Sequence, residues 1–231
     1  MDREEYVKKA KNILESDRSM GQYHRLNFQN YNYGENSPVN SKILTNMPHG
    51  SKVIIEEKVY EAMDVLAEVT NEDGKECSFL LTGQVEGQTA IFDGLIMQGN
   101  DGNAHEAGFS KIAPELSKFM EDVKRNNVKN AIVCHGHSHP KVGQYYMQFS
   151  LGDLASYIQM NKDNEQYRDK EVELCSCLLT DGEFNFLFYD NKTNNFYKFN
   201  NTYMRKKDGE LVKLPSYGQK SKSFDDSDQD R

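Results

Sequence analysis

Three histidines recur at alternate positions, His135, His137 and His139. Side chains along an extended backbone alternate between two faces, so all three rings point the same way. Neutral imidazole is a common zinc ligand, and two such rings on one strand face supply two corners of a tetrahedral site. A carboxylate is available further along. Ser150-Leu-Gly-Asp153 opens a run in which Leu151, Leu154, Ala155 and Ile158 keep helical spacing. Ser150 is a good N-cap, and Phe149 and Leu154 have the spacing of a hydrophobic staple. Asp153 then falls in the first helical turn. Its carboxylate is the candidate third ligand, which leaves a fourth position for water. A site built on three histidines, His135 included, is geometrically possible at this point.

Other elements must carry these groups. Ala131-Ile-Val-Cys134 is a short apolar run between the polar Asn126-Asn127 turn and Pro140, which predicts a buried strand leading into the histidines. Residues 3–16 predict a helix with Tyr6, Ala10, Ile13 and Leu14 on one side. The tyrosine-rich, turn-rich stretch around Asn27 to Pro38 reads as a linker or wrapping arm, or as a partner-binding segment. Val53–Ile55 reads as a strand. A helix follows with Val59, Ala62, Met63, Leu66 and Val69 on one face, closed by Asn71-Glu-Asp-Gly74.

Beyond Lys75, a strand runs to Gly83, and Val85 to Gln88 reads as a hairpin turn. A second strand, Thr89 to Met97, is expected to break at Asp93-Gly94. Ile112, Leu116, Phe119, Met120 and Val123 mark another amphipathic helix, with Pro114 acceptable in its first turn. His105 and Glu106 read as solvated surface. After the Asp153 helix, the charged stretch from Asn161 to Glu173 reads as a loop. Val172 to Leu179 and Phe184 to Tyr189 are strands around the hairpin signal Thr180-Asp-Gly-Glu183, and Phe196 to Phe199 continues the sheet. The tail from Tyr217 reads as disordered. This order predicts an α/β (α+β) fold, one domain with a mixed β-sheet flanked by helices. The domain spans 49–205, with a helix and arm over 1–48 and a tail over 206–231.

Composition narrows the function. A net charge of −8 over 231 residues argues against a protein that grips the nucleic-acid backbone. No apolar segment is long enough to span a bilayer, and the charged start Met-Asp-Arg-Glu-Glu lacks the apolar core of a signal peptide, so a cytoplasmic protein is expected. Cys77, Cys134, Cys175 and Cys177 lie in or beside apolar runs and read as reduced, buried residues. Cys175-Ser-Cys177 lacks the second pair that a zinc site of its own would need.

His137-Ser-His139-Pro followed by Ser150-x-x-Asp153 resembles the metal motif of the JAMM (MPN-plus, JAB-domain) zinc metallopeptidases. The resemblance covers about residues 50–200. It departs from the family in its spacer, which holds ten residues, Pro140 to Phe149, where the family's usual spacer has seven. The resemblance implies Zn2+ held by His137, His139 and Asp153. It also implies Glu76, ahead of Leu80-Leu81 and Gly83, as the general base, and Ser150 as the hydrogen-bond donor to the oxyanion. It gives His135 no ligand role, so that ring is expected beside the ligands. The implied reaction is hydrolysis of an amide or isopeptide bond in a protein or peptide substrate, at the tail of a ubiquitin-like or small β-grasp protein. Two alternatives stay open: a His-x-His hydrolase of phosphoesters or cyclic amides, and a catalytically silent scaffold of the same fold.

Overall fold

The computed structural model describes residues 5, 8–10, 12, 45–46, 51–97, 109–141, 148–164, 172–190, 195–199 and 201–215. The expected arm up to Leu44, His105 and Glu106, and the tail from Tyr217 lie outside the described residues, as does most of the expected helix over 3–16. Residues 5, 8–10 and 12 are helical, and Ala10 is buried.

The fold is mixed α/β. A ten-stranded sheet takes its strands from β1 (Thr45–Asn46), β2 (Lys52–Glu56), β3 (Ser78–Glu86), β4 (Thr89–Met97), β5 (Ala131–Ser138), β6 (Val172–Thr180), β7 (Glu183–Asp190), β8 (Asn195–Lys198), β9 (Thr202–Arg205) and β10 (Leu211–Lys213). Their order is β1-β8-β7-β6-β5-β3-β4-β2-β9-β10. The histidine strand β5 is central, parallel to β6 and antiparallel to β3. All eight of its residues are buried, as its apolar run predicts. No helix among the described residues is long and apolar enough to cross a membrane.

Helices cover both faces. Helix α1 (Glu57–Asp73) packs Val59, Ala62, Met63 and Leu66 into one core cluster with Phe79, Leu81, Cys134 and Cys177. It ends where the sequence predicts, because Gly74 takes a left-handed φ of 69° and its N–H donates to the Thr70 carbonyl. On the opposite face, α2 (Phe109–Arg125) and α3 (Leu151–Asp163) place Leu116, Met120, Tyr157 and Met160 against Leu80, Val133 and Leu174. All four cysteines are buried free thiols.

Several boundaries differ from the sequence reading. The expected break at Asp93-Gly94 is a β-bulge: Thr82 pairs with Gly94 and Gly83 with Phe92, so β4 continues while Asp93 turns outward. Helix α2 begins early enough that Pro114 lies inside it rather than in its first turn. Helix α3 runs through Asn161 to Asp163, where a loop was expected. The sheet also extends past residue 205, because β10 pairs with β9, and before residue 49, because β1 pairs with β8.

Gly136 lies between the two first histidines on the α1 side of the sheet. A Cβ there would run into the ring of Phe79, which is fully buried. Gly136→Ala is therefore expected to lower stability by about 1–3 kcal/mol, the usual cost of overpacking a tight core. Urea unfolding of the purified variant measures this, and an unchanged midpoint would show that the ring can yield.

Candidate metal centre

Alternation along β5 sets the site. His135 pairs with Leu80 and Ser176, and Leu80 belongs to the core beneath α2 and α3, so His135 and His137 face that side. His139 lies just past the strand end. Its N–H donates to the Leu179 carbonyl at 2.9 Å, which keeps the backbone extended beyond the strand. The ring of His139 thus returns to the His137 side, and the two Nε2 atoms are 2.9 Å apart.

Glu76 arrives from the neighbouring strand. Because β3 runs antiparallel to β5 with Ser78 opposite His137, the residue two places before Ser78 falls opposite His139. The Glu76 Oε1 atom is 3.3 Å from His139 Nε2. Ser138 fastens this junction from the other face. Its N–H donates to the Cys77 carbonyl at 2.9 Å, and its hydroxyl accepts from the Cys77 N–H at 2.9 Å and meets the Thr70 hydroxyl at 2.6 Å. The middle residue of His-Ser-His is therefore a buried clasp between the histidine strand, the Glu76 segment and α1. Both of its partner residues lie more than sixty positions away, and no local pattern announces them. Just beyond, the Lys141 N–H donates to Asn71 Oδ1 at 2.8 Å and its ammonium pairs with Asp181 at 2.7 Å.

Asp153 comes from α3. Ser150 is its N-cap, as the sequence predicts, and the two form a full capping box: the Asp153 N–H donates to Ser150 Oγ at 3.1 Å, and the Ser150 N–H donates to Asp153 Oδ2 at 2.7 Å. The other carboxylate oxygen, Oδ1, lies 3.5 Å from His137 Nε2. Phe149 and Leu154, the expected staple pair, both pack against the α3-side core.

Among the described residues, Glu76, His137 and His139 form a group that could hold a metal ion, with one ligand atom from each all within 4.8 Å of one another. Asp153 touches that group through His137 but lies outside it, and so does His135. With metal–nitrogen bonds of about 2.0–2.1 Å, the corners of a tetrahedron sit roughly 3.3–3.4 Å apart; His139 Nε2 is 2.9 Å from His137 Nε2 and 3.3 Å from Glu76 Oε1, and Asp153 Oδ1 is 3.5 Å from His137 Nε2. Burial pushes the His137 pKa down to about 4, against a smaller upward pull from Asp153, so its ring is neutral near pH 7 and has a lone pair to offer. His137 is 3% exposed, Glu76 9%, His139 16% and Asp153 23%.

His135 is buried below the group. Burial lowers its pKa to about 3, and its ring packs edge-on against Tyr157, with centroids 5.7 Å apart. Tyr157 itself is absent from the sequence reading. Its hydroxyl lies 3.3 Å from His137 Nδ1. A tyrosine at helical spacing after Leu154 signals only a core position, although its place one turn beyond Asp153 puts it on the same helix face.

No protein-family model matches the chain, and no curated protein matches it. Among solved structures, the solution structure of a protein from Desulfitobacterium hafniense is similar at 14% identity. The match covers 71% of this chain and 90% of that one, with a TM-score of 0.36. A likeness this distant carries no argument about function.

Proposed function

We propose that the protein is a zinc-dependent peptidase or isopeptidase of the JAMM type, acting at the flexible tail of a ubiquitin-like or small β-grasp protein. The observation that carries the reading is the convergence of His137, His139 and Glu76, one ligand atom from each within 4.8 Å of the others, with a helix bringing Asp153 Oδ1 to 3.5 Å from His137. His137 and His139 would hold the ion through Nε2, and Asp153 through Oδ1. When bound, zinc supplies Lewis acidity, polarising the scissile carbonyl and lowering the pKa of water.

The chain's own groups supply the rest. Glu76 stands on the His139 side, where its carboxylate can take a proton from the attacking water and pass it to the departing amine. Its partners on β5 hold it there, because the Ser138 clasp fixes the adjacent Cys77. The Ser150 oxygen accepts the Asp153 N–H, which leaves its own hydrogen for a developing oxyanion, so capping and catalysis use different capacities of one hydroxyl.

The test is a panel of linear fusions in which a ubiquitin-like domain is joined through Gly-Gly to a reporter. Cleavage after Gly-Gly that stops on chelation and returns with zinc is expected. Hydrolysis of a generic phosphodiester with the fusions left intact would replace this reading with the phosphoesterase alternative. No turnover of either by zinc-loaded protein would favour the scaffold.

A further inference from the structure

We infer that Tyr157 is a positioning residue that sets which nitrogen of His137 faces the metal. This rests on the metal-centre reading above and deepens it. Asp153 and Tyr157 are four residues apart on α3, so their side chains lie one above the other on a single helix face. His137 projects from β5 between them. The Asp153 carboxylate is 3.5 Å from its Nε2, and the Tyr157 hydroxyl is 3.3 Å from its Nδ1. One helical turn therefore grips both nitrogens of the same imidazole.

The phenol has a second polar neighbour. Tyr157 is 2% exposed, and the equally buried Ser176 hydroxyl favours its ionised form against the larger upward push of burial. Ser176 lies opposite His135 on the parallel neighbour β6, so its side chain shares the histidine face. In this arrangement the His137 Nδ1–H donates to the Tyr157 oxygen, and the Ser176 hydroxyl stands beside the same phenol. With the proton on Nδ1, the Nε2 lone pair points at His139 and Asp153, as a ligand must. Rings hold still as ligands when the second nitrogen has a fixed partner. Phe149 adds a steric wall, edge-on to both His137 and Tyr157 at 6.4 and 5.4 Å between ring centroids.

The experiment uses the full chain, metal-free, as wild type, Tyr157→Phe and Ser176→Ala. Zinc affinity is measured against a competing chelator, and the His137 tautomer is read from imidazole 15N resonances. Wild type is expected to show the Nδ1–H form. Tyr157→Phe is expected to weaken zinc binding on the order of 10- to 100-fold and to lose the single tautomer, and Ser176→Ala to shift both in the same direction by less. A merely structural tyrosine would change stability but not the tautomer. An Nε2–H tautomer in the wild type, or equal affinities and an unchanged tautomer in folded Tyr157→Phe, overturns the inference. If wild type binds no zinc, the metal centre is wrong, and the nitrogen spectra alone decide whether Tyr157 orients His137.

Discussion

Glu76→Gln protein is expected to keep the zinc content of the wild type and to lose about 10²–10⁴-fold in Gly-Gly fusion cleavage, the usual contribution of a positioned general base. The amide matches the carboxylate in shape, so the Ser138 clasp and the β3–β5 pairing have no reason to change. What disappears is the ability to accept a proton. The same variant distinguishes two roles the geometry allows, since Glu76 belongs to the group that could hold an ion while standing 3.3 Å from His139. A carboxylate that ligates would take the metal with it when neutralised. Metal analysis after dialysis, run beside the cleavage assay, separates these results. Zinc lost together with activity would move Glu76 into the ligand set, and full activity would remove it from the mechanism.

The second large effect concerns the ligands. His139→Ala is expected to take the protein from about one bound zinc to almost none, because a structure-held tetrahedral site needs its protein ligands. His139 is half-buried at a strand end, so the metal-free fold should tolerate the change, and circular dichroism can verify that. Asp153→Asn is the sharper companion. Asparagine keeps a carbonyl oxygen for the Ser150 N–H and so preserves the capping box, yet removes the charge facing His137. Zinc affinity should fall while thermal stability holds. An unchanged zinc content would mean that the ion is held without Asp153, by Glu76 and the two histidines.

The central architecture was legible because its signals are local. Alternation placed His135 and His137 on one face, Ser150 announced the helix that brings Asp153, and Gly74 marked the end of α1. The edges were not. Strands β9 and β10 are short and mostly half-exposed, with no apolar alternation to separate them from loop, and they exist because β2 offers a parallel partner. Asp93-Gly94 looked like a break because both residues disfavour strands, and the chain absorbs them as a bulge. In the site, Glu76 is one acid among 36 acidic residues, and only the family resemblance selected it. Ser138 and Tyr157 could not be found by any periodic rule, since their importance lies in partners distant along the chain.

The tethers on β5 also bear on slippage. Adjacent residues of this strand point to opposite faces, and each is tied by polar contacts: Ser138 to Thr70 and Cys77 beneath α1, His137 to Tyr157 beneath α3. Sliding the strand by one residue would exchange the two faces and strand a hydroxyl and an imidazole against hydrocarbon at the same time. An apolar ribbon such as Ala-Ile-Val-Cys could settle in a misaligned frame with little loss. The two polar pins, one per face, make the aligned frame the only low-energy one.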